Sequence, residues 1–217
     1  MSTGFGFETR PFNMTPPNNG GISIALIGAS RSGKTTLLKY MYNRFFREHI
    51  GVMFSQNNHA DIYKDLPKKL MISPEYYPEI IRDMYQINNH TENKFKFLIV
   101  SDDFVNTKIK HDPEVLRALT LYRNTGVSSV WSFQGRSLMN AVGRNNVNYI
   151  AVLKQNTPLE ALNVVKEYLN GYFPIGMTYS EKVKFFMEAT QDHQFFFIDN
   201  IEGVCYLTKL SPEQAGV

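Results

Sequence analysis

The strongest chemical signal in the chain is the run Gly28-Ala29-Ser30-Arg31-Ser32-Gly33-Lys34-Thr35, which sets a lysine and a hydroxyl directly behind a glycine-bounded loop. Glycines let a backbone approach an anion closely and take dihedrals that side chains resist, so successive N–H groups can converge on phosphate oxygens. A lysine at this spacing reaches the outer phosphates, and the following hydroxyl ligates magnesium. The spacing predicts a loop that binds the phosphates of ATP with Mg2+. Its binding set is Gly28, Ala29, Ser30, Arg31, Ser32, Gly33, Lys34, Thr35 and Thr36, with Thr35 also on the metal.

Two more clusters extend this chemistry. Phe95-Lys-Phe-Leu-Ile-Val-Ser-Asp102-Asp103 is an apolar run that delivers a pair of carboxylates at its end. Beside a phosphate loop, the first such carboxylate positions the metal through water, and the second orients or deprotonates the attacking water. Asp102 is therefore assigned to the metal and Asp103 to the water; the plainer alternative is a pair that caps the next segment. Val127-Ser-Ser-Val-Trp-Ser-Phe133-Gln134 is a further apolar run ending in an amide. If that strand inserts between the loop strand and the carboxylate strand, Gln134 points at the γ-phosphate and senses it. Otherwise Gln134 only begins a turn with Gly135.

The elements that must position these groups read as an alternation. Strands are expected at Ile22 to Ile27, Gly51 to Ser55, Phe95 to Ser101, Val127 to Phe133 and Tyr149 to Leu153, with a closing pair at Phe195 to Ile198 and Val204 to Leu207. Helices are expected at Thr35 to Arg47, Pro78 to Asn88, Pro113 to Asn124, Ser137 to Val142, Pro158 to Leu169 and Ser180 to Ala189. Strands alternating with helices predict an α/β fold with a mostly parallel sheet, helices on both faces and right-handed crossovers. Residues 1–20, rich in Pro and Asn and without periodicity, read as a flexible N-terminal arm, 21–210 as one phosphate-loop domain, and 211–217 as a C-terminal tail.

Composition limits what else the chain can be. Its 217 residues, 43% hydrophobic and 20% charged, suffice for one sizeable core. The single cysteine, Cys205, excludes a disulfide framework, and five scattered histidines leave no zinc spacing. No apolar run reaches about 18 residues and no basic-then-apolar leader opens the chain, so the expectation is a protein neither secreted nor membrane-spanning. A net charge of +3 permits a polyanionic partner without requiring one. The basic clusters Lys64/Lys68/Lys69, Lys108/Lys110 and Arg136/Arg144 read first as solvated surface. Trp131 and Phe195-Phe196-Phe197 read as core, not as base-stacking platforms.

Tyr122-Arg123-Asn-Thr-Gly126-Val-Ser-Ser-Val-Trp-Ser-Phe-Gln134, with Asp102-Asp103 and the phosphate loop, resembles the FtsK/HerA superfamily of DNA-pumping ATPases. It looks most like their viral genome-packaging branch, over about Gly21 to Leu210. The resemblance implies a RecA-like core in a ring-shaped homo-oligomer, with ATP at subunit interfaces and an arginine supplied by the neighbour. Arg123 is the first candidate for that arginine, with Arg136 and Arg144 behind it. Relatives often carry an arginine near an Asn-Pro pair, where this chain has Lys154-Gln-Asn156-Thr-Pro158. The implied partners are double-stranded DNA, capsid vertex proteins and, as a further alternative, an internal virion membrane that is not spanned. The implied location is the host cytoplasm at the assembly site, and the virion. Two other classes compete: a nucleoside or nucleotide kinase with an Arg136 to Arg144 lid, and a nucleotide-bound structural part of a capsid vertex. A GTP switch lacks its base-reading motif, since Asn106-Thr-Lys108-Ile does not fit it.

Overall fold

The computed structural model describes residues 7–17, 20–56, 63–102, 112–134 and 141–215. Its strands are β1 (Ser23–Ile27), β2 (Ile50–Phe54), β3 (Leu70–Ser73), β4 (Phe97–Ser101), β5 (Val127–Phe133), β6 (Tyr149–Val152), β7 (Phe195–Asp199) and β8 (Val204–Thr208). Its helices are α1 (Lys34–Met41), α2 (Pro78–His90), α3 (Pro113–Thr120), α4 (Ala141–Asn146), α5 (Pro158–Val164), α6 (Tyr179–Ala189) and α7 (Pro212–Ala215). The strands form one eight-stranded sheet in the order β3-β2-β4-β5-β1-β6-β7-β8. All pairings from β3 to β6 are parallel, and β7 and β8 close the sheet as an antiparallel hairpin. The α/β class and mostly parallel sheet follow the expectation from the alternation.

The central strands are apolar throughout because both of their faces are covered. In β1 the side chains alternate between two cores, Ala25 and Ile27 on one face and Ile24 and Leu26 on the other. The first face is covered by α2, α3, α5 and α6, through residues such as Ile81, Leu119, Val164 and Phe186. The second is covered by α1 and the π-helical turn Tyr42–Phe46 that continues it, through Leu37, Leu38, Met41 and Phe46. Trp131 and the three phenylalanines at 195–197 are buried, as expected of core residues. The serines of β5 are buried without penalty where they find acceptors: the Ser129 hydroxyl lies 3.1 Å from the Ser23 hydroxyl and 3.2 Å from the Ala118 carbonyl.

Several local expectations need correction. Strand β3 was not anticipated: it is an edge strand with Met71 and Ile72 exposed, so it leaves no buried apolar run to read. The helix expected at Ser137 to Val142 falls mostly outside the described residues, which resume at Ala141 within α4. The N-terminal segment is not a free arm over the described residues 7–17. Glu8 and Arg10 exchange backbone hydrogen bonds with Leu207 of β8, and Phe7, Phe12 and Met14 are buried. Phe7 packs edge-on against Phe173 and Phe196, with ring centroids 5.0 and 4.9 Å away. Burying one such ring contributes roughly 2–3 kcal/mol, enough to hold an extended segment that has no periodicity of its own. The C-terminal segment is docked through residue 215: Gln214 Nε2 donates to the Tyr40 hydroxyl at 2.9 Å, holding α7 on α1. Among the described residues no helix is long and apolar enough to cross a membrane.

One titratable group gives the fold an acid limit. His49 packs edge-on against Phe46 at 5.2 Å, and burial, aided by the Lys96 charge, pushes its imidazole from 6.5 down to about 4. The folded state therefore keeps His49 neutral while the unfolded chain takes up a proton below pH 6.5. Stability is retained above that value and lost as pH falls towards about 4. The loss attributable to this partly exposed ring is roughly 1–2 kcal/mol. Urea unfolding at about pH 7 and about pH 5 checks it: His49→Phe is expected to flatten the difference between the two.

Candidate active site

β1 delivers its C-terminal end to the loop 28–33, and the loop is tied to both neighbouring strands. Gly28 N–H donates to the Phe133 carbonyl at the end of β5 (3.1 Å), and Ala29 N–H to the Lys154 carbonyl just beyond β6 (2.9 Å). A β-carbon at Gly28 would lie 2.5 Å from the Ser32 hydroxyl and 2.9 Å from Leu153 Cβ, so only glycine fits there. Arg31 and Gly33 both adopt left-handed backbone, with φ of 61° and 98°. The turn opens directly into α1, whose first residue is Lys34 and whose N-terminus has no side-chain cap. The leading N–H groups of α1, together with those of the loop, are thus available to an anion.

Lys34 is 3% exposed, and its ammonium donates to the carbonyls of Gly28 (3.0 Å) and Ala29 (2.8 Å). This cation is held inside the curve of the loop. Next to it, Thr35 Oγ1 donates to Asp102 Oδ2 at 3.0 Å. Asp102, at the end of β4, is 1% exposed, and the same oxygen accepts from the Tyr63 hydroxyl at 2.8 Å. The Tyr63 hydroxyl in turn lies 3.0 Å from the Ser55 hydroxyl at the end of β2. A buried carboxylate needs such donors, and two of them on one oxygen fix its orientation. Thr35 and Asp102 were paired by sequence; Tyr63 and Ser55 were not seen.

The other sequence-predicted residues distribute as follows. Gln134 leaves the end of β5, which lies between β1 and β4 as the sensing role required, and its side chain is exposed. Asp103 and Arg136 lie outside the described residues, as do Lys108 and Lys110. Arg123 sits before β5, at the end of the sheet opposite the phosphate loop. It is exposed, with Nε 3.2 Å from the Tyr122 hydroxyl and its guanidinium 5.6 Å from the centre of that ring. Arg144 instead lies 3.7 Å from Glu167 and over the Tyr168 ring.

The donor set fits magnesium held jointly with phosphate. A hydroxyl and a carboxylate, both hard oxygen donors, meet within hydrogen-bond distance at the loop. Among the described residues no group of three His, Cys, Asp or Glu could hold a metal.

No family model matches the chain. Uncharacterized protein 075L of Invertebrate iridescent virus 6 is 25% identical over 211 residues, covering 89% of this chain and 80% of that protein. Among solved structures, the genome packaging NTPase B204 from Sulfolobus turreted icosahedral virus 2, in complex with sulfate, is similar with a TM-score of 0.62. Its identity is 14%, and the match covers 88% of this chain and 97% of that one. The pCW3 conjugation coupling protein TcpA, solved with ATPγS, is similar with a TM-score of 0.59 at 13% identity, covering 91% of this chain and 63% of that one. The chain thus has a RecA-like α/β fold, one it shares with a viral genome packaging NTPase and with the conjugation coupling protein TcpA.

Proposed function

We propose that the chain is an ATP-hydrolysing motor that moves double-stranded DNA, and that its task is to package a viral genome into a capsid. The observation that carries this reading is the meeting of Thr35 and Asp102, 3.0 Å apart, across a sheet that sets β5 and its terminal Gln134 between their strands. A kinase needs a phosphate loop but not that inserted strand with a polar end. The similarity to the genome packaging NTPase B204, and to an uncharacterized protein of Invertebrate iridescent virus 6, supports the DNA and capsid part.

In this mechanism Lys34 exchanges its two loop carbonyls for phosphate oxygens, and the N–H groups of residues 28–35 cradle the chain of phosphates. Thr35 and, through water, Asp102 would hold magnesium, which would supply positive charge to offset that of the phosphates. Tyr63 keeps Asp102 oriented when Thr35 turns to its own ligand. Asp103 takes a proton from the attacking water, whose oxygen bonds to the γ-phosphorus as the bond to the β–γ bridging oxygen breaks, leaving ADP and phosphate. Gln134 registers whether the γ-phosphate is present. Arg123 acts on the site of a neighbouring copy in a ring, so turnover depends on assembly. The partners are double-stranded DNA and capsid vertex proteins, and the place of work is the assembly site and the virion.

The test is ATP turnover by the purified protein, with and without double-stranded DNA, at low and at moderate salt. Turnover stimulated by DNA, with a stimulation that fades as salt rises, is expected, because phosphate contacts release counterions. Turnover indifferent to DNA but raised by a nucleoside or nucleotide would make the chain a kinase. Nucleotide binding with no turnover in any assembly would make it a structural part of the vertex.

A further inference from the structure

A cavity of about 660 Å³ opens beside the phosphate loop, with Gly33 to Leu37 forming one side. Its other walls are mostly apolar: Leu153 after β6, Phe195 of β7, then Leu210, Pro212 and Ala215 from the segment that follows β8. Apolar walls do not suit phosphate, and a triphosphate alone does not fill this volume, which is the size of ordinary small-molecule pockets. Direction matters as well. In the sheet order, Asp102 of β4 and Gln134 of β5 lie on one side of β1, whereas the cavity lies over β6, β7 and the chain beyond β8, on the other. A nucleotide whose terminal phosphate faces Asp102 and Gln134 therefore extends its opposite end into the cavity.

We infer that this cavity is the seat of the nucleoside base, and that the C-terminal segment Leu210 to Ala215 is the wall that makes it. The inference rests on the phosphate-loop reading above and adds the element that binds the rest of the ligand. The wall is built in advance. Gln214 Nε2 donates to Tyr40 of α1 at 2.9 Å, while Ser211 N–H donates to Gln214 Oε1 at 2.9 Å and Gln214 N–H to Ser211 Oγ at 3.2 Å. These bonds fix a short helix against α1, so the planar base meets an apolar slot whose wall is held in place. Asp192, His193 and Lys209 line the same cavity and supply its polar contacts, the sugar hydroxyls being the groups that suit them.

Calorimetric titration with two probes, a non-hydrolysable ATP analogue and inorganic tripolyphosphate, separates the base from the phosphates. Ala215→Trp places an indole in the slot and is expected to weaken the analogue about tenfold or more while leaving tripolyphosphate within about twofold. Gln214→Ala, which unties the wall from Tyr40 and removes the side-chain acceptor of Ser211 N–H, is expected to act in the same direction and decides the matter if the tryptophan variant fails to fold by its melting curve. Equal weakening of both probes, or of neither, in the folded variant would overturn the inference. Wild-type protein that binds the analogue but not tripolyphosphate, with Lys34→Met binding the analogue normally, would instead bring down the phosphate-loop reading beneath it.

Discussion

Replacing Lys34 by methionine is expected to lower ATP turnover by about 10²–10³-fold or more, the usual loss when a preorganised charge is removed from a reacting centre. The physical ground is its position. Lys34 is 3% exposed and its ammonium lies 2.8–3.0 Å from two carbonyls of its own loop, so the cation is desolvated and oriented by the loop itself. Binding then trades two neutral acceptors for charged oxygens, so the gain falls on the phosphates. Methionine keeps the buried aliphatic stem, which alanine would remove along with packing against the loop. Arginine is no substitute, because its planar fork does not fit a site shaped for a single ammonium between Gly28 and Ala29. Phosphate release and thermal melting, measured together, check the expectation: turnover lost with the melting temperature nearly kept. Turnover preserved in Lys34→Met would place hydrolysis somewhere other than this loop.

The phosphate loop was legible because its chemistry is local. One contiguous run carries the glycines, the lysine and the hydroxyl, and the apolar strand before it fixes where it must sit. The position of Asp102 was legible for a similar reason: an apolar run reads as a buried strand, and the carboxylate follows directly at its end. The place of β5 between β1 and β4 was read only as a condition, since strand order is a property of long-range pairing. The amide at Gln134 gave the condition its point. What escaped notice were side chains that dock singly on a sheet already formed. Tyr63 reaches Asp102 from 39 residues away in sequence, out of a stretch with no period. Phe7, Phe12 and Met14 bind an extended segment at isolated points, and Gln214 does the same for α7. Such contacts follow from the finished surface, not from helical or strand spacing, and sequence periodicity is blind to them. The antiparallel hairpin β7–β8 belongs with these. It was seen as a pair of strands, but it also makes the ledge from which the C-terminal wall of the cavity descends.

Arg123→Ala is expected to lower turnover about 10³-fold or more in the assembled protein while leaving nucleotide affinity of isolated subunits unchanged, the pattern of an arginine supplied in trans. Its location is too far from its own phosphate loop for it to act there. Strand β5 runs for seven residues between Arg123 and Gln134, which at about 3.3 Å per residue separates the arginine from its own phosphate loop by roughly 20 Å. No arginine side chain spans that distance. Among the described residues Arg123 has no carboxylate partner; it is exposed and steadied only by Tyr122, through the Nε hydrogen bond and the face of the ring. Arg144, the alternative within the described residues, is drawn towards Glu167 and is less available to a neighbour. Mixing supplies the decisive measurement. Arg123→Ala subunits retain an intact loop but lack the donated charge, and Lys34→Met subunits retain the charge but cannot turn over. Combined in one assembly, they should restore hydrolysis at the interfaces where a Lys34→Met subunit presents Arg123 to an Arg123→Ala subunit, so turnover should peak at intermediate mixing ratios. No turnover above that of the unmixed populations at any ratio, or normal turnover by Arg123→Ala alone, would remove this residue from the chemistry and leave its stacking on Tyr122 as a surface contact.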